Sequence, residues 1–184
     1  MKNIIMKSMS PRQRTDSTLY FSLMAFFLEK PYYGYELYKY LRSESSFFQI
    51  WYLKQSQFYG FLDRLLKEGF LSQQLVEGDQ YPDRKLFTIT GAGISQLGNW
   101  VEIPVKRGRD MRQEFFVKLF VAKNFLPEKI NNLINLQKIE CANWVEEQNN
   151  LLIKEEDQFQ KILIKYRKIQ ITGMITWLSE MDQE

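Results

Sequence analysis

Between Ser56 and Glu102 the chain changes its hydrophobic period twice, from helical to alternating and back, and few folds accommodate that order. On a helical wheel Phe58, Phe61, Leu62, Leu65 and Leu66 fall on one side; Ser56, Gln57, Gly60, Asp63, Arg64 and Lys67 fall on the other. With Ser56 as N-cap, the helix runs over 56–68, and Gly69 supplies the left-handed residue that ends it. Gly60 lies in its first turn, where a missing side chain permits close backbone approach. Short strands over 70–76 and 85–89 follow, joined by a Gly, Asp and Pro-rich tip at 77–84. Thr90 then caps a helix over 91–102 that buries Ile94, Leu97 and Val101.

Two helices precede this unit. The first starts at Asp16 or Ser17, carries Leu19, Leu23, Phe26 and Phe27 at helical spacing, and stops at Pro31. The second covers 34–44, with Tyr35, Leu37, Tyr38 and Leu41 as its buried face, and 43–52 reads as a connection. Three helices, a hairpin and a helix make a winged helix-turn-helix. The chain is therefore expected to be mainly α: a basic flexible arm over 1–15, a winged helix-turn-helix domain with a small β-hairpin wing over 16–103, and a long-helix C-terminal region over 104–184. Pro104 and Gly108 mark the boundary.

The C-terminal region carries more apolar stripe than a small domain can bury on itself. Met111, Phe115, Phe116, Leu119 and Phe120 pattern a helix as far as Asn124, and Pro127 suits the first position of the next. From there Ile130, Ile134, Gln137, Cys141, Trp144, Gln148 and Leu151 step by fours and threes, the seam of a coiled coil. A last stripe holds Phe159, Ile162, Leu163, Tyr166, Ile169, Gly173, Trp177 and Met181. Ile130, Ile134, Cys141, Trp144, Leu151, Tyr166 and Trp177 are accordingly expected to form the interface of a homodimer.

The chemistry open to the chain is narrow. It has no histidine and a single cysteine, which excludes imidazole-assisted nucleophiles, an intrachain disulfide and a zinc site. No Gly-rich phosphate loop is present. The expectation is a binding protein, not an enzyme, with no metal and no cofactor. No stretch is apolar enough to span a membrane and no signal peptide pattern opens the chain, so a cytoplasmic protein is expected.

The net charge of +3 is unevenly spread. Residues 1–102 hold 12 basic and 10 acidic side chains, 103–126 hold 6 and 2, and 127–184 hold 7 and 10. Binding of double-stranded DNA must then rest on where the charges point. On the third helix Gln55, Ser56, Gln57, Tyr59 and Arg64 are of types that reach base edges or phosphates in a major groove, with Lys54 ahead of them as a phosphate contact. Arg64 is equally placed to pair with Glu68 one turn on. In the hairpin Arg84 and Lys85 suit flanking backbone or minor groove, although Asp79 and Asp83 oppose them. The basic run 106–112 faces DNA or lies free; membrane-surface binding is the weaker reading.

These residues also carry a resemblance. Lys30-Pro31-Tyr32-Tyr33-Gly34-Tyr35-Glu36-Leu37 resembles the G-P-x-H-G-Y-E-L stretch of PadR-type transcriptional regulators. Ser56-Gln57-Phe58-Tyr59-Gly60-Phe61-Leu62-Asp63-Arg64-Leu65 resembles their G-T-L-Y-P-A-L-x-R-L recognition helix, and Arg84-Lys85-Leu86-Phe87-Thr88-Ile89-Thr90 their R-K-Y-Y-x-L-T strand. Glu114-Phe115-Phe116-Val117-Lys118-Leu119-Phe120 looks like the start of their helical dimerisation part. Tyr33 stands for the family's His, Ser56-Gln57 for Gly-Thr, and Gly60 for Pro. The resemblance implies a dimeric DNA-binding regulator, a repressor in most of the family, with a palindromic operator and the Tyr59 hydroxyl on a phosphate. Some similar regulators bind flat aromatic compounds near the dimer interface, which makes Trp100 and Trp144 candidates for a small aromatic effector. A winged-helix adaptor that binds protein instead of DNA is the alternative.

Overall fold

The computed structural model describes residues 11–43, 45, 47–77 and 84–181. Most of the arm (1–10) and the wing tip with Asp79 and Asp83 lie outside the described residues. The element order is α1 (Pro11–Phe26), β1 (Tyr32–Tyr33), α2 (Gly34–Ser43), α3 (Phe47–Ile50), α4 (Gln55–Lys67), β2 (Leu71–Val76), β3 (Arg84–Ile89), α5 (Gly91–Glu102), α6 (Glu114–Phe125), α7 (Ile130–Lys154) and α8 (Gln158–Glu180). Two 3-10 turns, Gly108–Arg112 and Pro127–Lys129, precede α6 and α7.

The predicted third helix is α4, and its end forms as the sequence demands. Gly69 has φ +76°, a conformation that costs glycine little. The Gly69 and Phe70 N–H groups donate back to the Leu66 and Leu65 carbonyls, closing the terminal turn and aiming the chain into β2. Its start differs from expectation. Lys54, not Ser56, occupies the N-cap, and no side chain caps the helix. Gly60 faces open space, so nothing in the described chain exploits its missing Cβ. The close approaches fall at Gly34, under the Tyr59 ring, at Gly93, under the Phe70 carbonyl, and at Gly98, beside the Lys129 side chain.

β2 and β3 pair antiparallel from Leu71↔Ile89 to Val76↔Arg84. β1 adds a third strand on the far side of β3, Tyr32↔Phe87 and Tyr33↔Leu86, in the short stretch between the two expected helices, for which the sequence suggested no strand. Thr90 caps α5 as expected, its Oγ1 accepting from the Gly93 N–H at 3.1 Å. Leu97 and Val101 are buried, but Ile94, in the first turn of α5, is 46% exposed. Tyr35 likewise leaves the buried face of α2 and is 69% exposed. Helix α1 begins at Pro11, ahead of the expected Asp16 or Ser17, so part of the expected arm is helical. The connection over 43–52 contains α3, formed around the buried Phe47.

One apolar core runs from Leu19 to Leu178. Phe26 of α1 meets Phe47, Phe120 and Phe125 at ring-centre distances of 5.7, 6.1 and 5.0 Å, so the winged unit and α6 share an aromatic joint. The segment between α5 and α6 is tied down by polar side chains. Val105 N–H donates to Gln137 Oε1 at 2.8 Å, Gln137 Nε2 donates to the Val105 carbonyl at 3.2 Å, and Lys129 and Asn132 both reach Glu102 at 3.0 Å.

Lys118 of α6 is fully buried: its Nζ donates to the Ile103 carbonyl, lies 3.5 Å from Glu114 and 5.1 Å from the centre of the Trp100 ring. Burial lowers its pKa to about 8 against the opposing pull of Glu114. The unfolded chain holds this proton to about pH 10.4 and binds more protons than the folded one above about pH 7.5, so stability rises with pH there. Urea melts should show a gain of roughly 0.5–1 kcal/mol between pH 7.5 and 8.5, before the buried Cys141 thiol, whose pKa burial raises, turns the balance. Lys118→Met should flatten that rise. A slope that survives in the variant assigns it to another group.

The C-terminal region corrects the interface expectation. A three-residue link between α7 and α8 turns the chain back, and the two helices pack on each other. Ile134 and Cys141 are thereby buried within the chain, and Ile130 and Trp144 half-buried. Trp177 packs on Phe115 and Phe116 at 5.9 and 5.4 Å. Of the seven expected interface residues, only Leu151 and Tyr166 stay exposed, at 46% and 59%.

Candidate nucleic-acid interface

The reading surface is built on α4, whose inner face seats Phe58, Phe61, Leu62 and Leu65 in the core. Tyr38 of α2 fixes the approach to it: its ring lies 5.3 Å from Phe58, and its hydroxyl donates to the Leu53 carbonyl at 3.4 Å. Opposite this anchored face, Lys54, Gln55, Ser56 and Gln57 are exposed and make no side-chain hydrogen bond among the described residues. Free amides and a free hydroxyl on the first turn of such a helix can pair with base edges. Tyr59 is 37% exposed, stands edge-on to Phe58, and rests its ring over Gly34.

Arg64 is placed differently. Its Nε donates to Glu68 Oε1 at 2.8 Å, and its guanidinium stacks on Tyr20 of α1 at 4.3 Å. Tyr20 donates its hydroxyl to Glu68 Oε2 at 2.7 Å. Burial and then that bond push the Tyr20 phenol well above its ordinary pKa. Burial pulls the Glu68 carboxyl upward, but the bonds from Arg64 and Tyr20 outweigh it and leave its pKa lowered. Of the two roles open to Arg64 in the sequence, the geometry satisfies the structural one: it latches the end of α4 to α1.

At the wing, Arg84 lies over the Tyr33 ring at 4.9 Å, so Tyr33 props a cation at the tip end of the paired strands. Arg84 and Lys85 are both exposed. Sequence reasoning found α2 but missed its contribution to this surface. Tyr35, Lys39 and Arg42 recur at i, i+4 and i+7 on its outer face and, with Gln55, line a groove of about 330 Å³ between α2 and the start of α4. That spacing was visible in the sequence, but Tyr35 was read as core. Lys39 and Arg42 have no ion-pair partner among the described residues and add charge beside Gln55.

Two expectations fall outside this surface. Trp100 is 2% exposed, stacked on Phe21 at 5.7 Å, and serves the core; no ligand can lie on it. The run 106–112 neither lies free nor reaches toward α4. It coils over α7 and α8 with Met111 buried beneath it. No helix is long and apolar enough to cross a membrane, and no metal-binding cluster occurs, among the described residues.

Residues 23–99 match the Transcriptional regulator PadR-like family. The negative transcriptional regulator PadR of Bacillus subtilis is 28% identical over 88 residues, 47% of this chain and 47% of that protein; the chain spans about half the length of the curated relative it matches. Among solved structures, a PadR-like transcriptional regulator from Bacillus cereus is 26% identical over 47% of this chain and 81% of its own, with a TM-score of 0.39. Bacillus subtilis PadR, solved with operator DNA, is 18% identical over 89% of this chain and 96% of its own, with a TM-score of 0.46. The matched segment runs from the middle of α1 to α5 and contains α4 and the wing strands, so the similarity to the PadR-like transcriptional regulator family falls on the part of the chain that carries this surface.

Proposed function

We propose that the protein is a sequence-specific, dimeric DNA-binding transcriptional regulator, and a repressor. In this reading 16–103 is the DNA-binding unit, α4 enters the major groove, and Arg84 and Lys85 hold the flanking backbone. The observation that carries it is the first turn of α4: Gln55, Ser56, Gln57 and Tyr59 stand exposed and unpaired on a helix fixed from behind, between the cations of α2 and those of the wing. Region 104–184 assembles the dimer, and the face that supports this is on α8. Phe159, Ile162, Tyr166 and Ile169 recur at heptad spacing and are 63%, 61%, 59% and 71% exposed. Two reading helices then meet a palindromic operator with half-sites about one helical turn, roughly 10 base pairs, apart or a multiple of it. Trp144, half-buried at the edge of a cavity, is the remaining candidate for an aromatic effector.

Genomic fragments captured by the protein and footprinted supply the operator, on which substitutions separate reading from positioning. Gln57→Ala should relax preference at one base position per half-site, by about 1–3 kcal/mol of discrimination. Lys54→Ala should weaken specific and random duplexes alike and make the slope of log affinity on log salt shallower by about 1 per contact. Tyr59→Phe should lower affinity without changing that slope. Residues 16–102 hold 8 basic and 10 acidic side chains, which favours the adaptor alternative. Wild-type binding by all three variants would transfer the reading to it.

A further inference from the structure

The basic 3-10 turn, α7 and α8 enclose a cavity of about 550 Å³, within the size range of small-molecule sites. Five cationic side chains line it. Lys106 is paired with Glu140 at 2.6 Å and Arg109 with Asp110 at 3.5 Å. Arg107, Arg112 and Arg167 have no partner among the described residues, and only Glu147 opposes them in the lining. The unpaired groups thus leave two positive charges without neutralisation. They come from segments some sixty residues apart in sequence, so neither a helix face nor a local charge run explains their meeting.

Two further features point to a ligand. Part of the lining is apolar, formed by the Trp144 indole with Ile171 and Met174. Beside it, Gln148 Oε1 is buried without a hydrogen-bond partner, the one such side-chain atom among the described residues. A buried acceptor left unpaired is costly, and a ligand N–H or O–H would satisfy it.

We infer that this cavity binds a flat-ring ligand carrying a phosphate monoester and a hydrogen-bond donor. A monoester dianion balances the two uncompensated charges, and its three terminal oxygens match guanidinium donors converging from separate elements. The ring lies against Trp144, and the donor reaches Gln148 Oε1. This deepens the effector part of the proposal above but is tested without DNA, so its failure and that of the DNA reading are separable.

The full chain is titrated calorimetrically with phenyl phosphate and the four nucleoside 5′-monophosphates, against inorganic phosphate and the parent nucleosides. At least one ring-bearing monoester should bind saturably, one per chain, and more tightly than inorganic phosphate or the nucleoside. Arg112→Gln and Arg167→Gln should each weaken that binding roughly tenfold or more, the scale of a charge-assisted hydrogen bond. Both residues are exposed, so thermal melts should not move. Gln148→Leu should weaken binding of a donor-bearing ligand and leave phenyl phosphate unaffected. The inference is overturned by absence of saturable binding, by equal binding of inorganic phosphate, or by binding indifferent to both arginine substitutions.

Discussion

Gly93→Ala should unfold the winged unit, or cost it about 3 kcal/mol or more, because the new Cβ has nowhere to go. It would stand 2.3 Å from the Phe70 carbonyl oxygen and 2.8 Å from Ile89 Cγ1. The carbonyl cannot yield: it accepts the Thr90 N–H at 3.0 Å and lies near the Thr90 hydroxyl at 3.2 Å, just after the turn fixed by Gly69. Relief therefore requires α5 to lift from the hairpin, which breaks the Thr90 cap and unseats Leu97, Trp100 and Val101. Gly60→Ala is the matched control. Its Cβ meets nothing within 4 Å on an exposed helical face, so it should stabilise by roughly 0.5–1 kcal/mol. Chemical denaturation of both variants decides the matter; a Gly93→Ala protein as stable as the parent would mean that α5 does not cross the hairpin this closely.

The second large effect is expected on α8. Ile162→Glu with Ile169→Glu places two carboxylates per chain on the exposed stripe without touching the buried Ile164, Ile171 and Leu178 that hold α8 to its own chain. Sedimentation should find monomers in place of the proposed dimer, with an unchanged far-ultraviolet spectrum. Operator affinity should fall by roughly 10²–10⁴, the advantage lost when two half-sites are no longer engaged together. A dimer that persists would move the interface to another face. Trp144→Glu is no substitute for this test, because Trp144 is half-buried and its Nε1 donates to Glu140 at 3.2 Å, so a charge there perturbs the chain itself.

What the sequence disclosed was whatever is settled by neighbours along the chain. The end of α4 at Gly69, the Thr90 cap and the two wing strands each depend on a few adjacent residues, and each formed as expected. β1 escaped because two residues after a proline become a strand only by borrowing the edge of β3, fifty residues on. The α7 seam was correctly seen as apolar, but periodicity does not say whether the covering helix belongs to the same chain. Asp157 held the missing signal: it caps α8, its Oδ1 accepting from the Gln160 N–H at 2.7 Å, and so marks a sharp return. On the candidate surface of α4 the free amides were legible, whereas Arg64 could be assigned only once Tyr20 was known to lie against it. The cationic cavity was not legible at all, since Arg112 and Arg167 meet only when α8 has folded back.

The clamp of Gln137 on Val105, with Lys118 on the Ile103 carbonyl, has a mechanical consequence for the dimer reading. A slack tether would let each reading head follow its half-site wherever the double helix carried it. A bolted one makes the pair a calliper of set gap and set angle. One base pair inserted in the operator spacer turns a half-site by roughly 35°, given 10–10.5 pairs per turn. The calliper cannot follow that rotation, so the torsional work falls on the DNA.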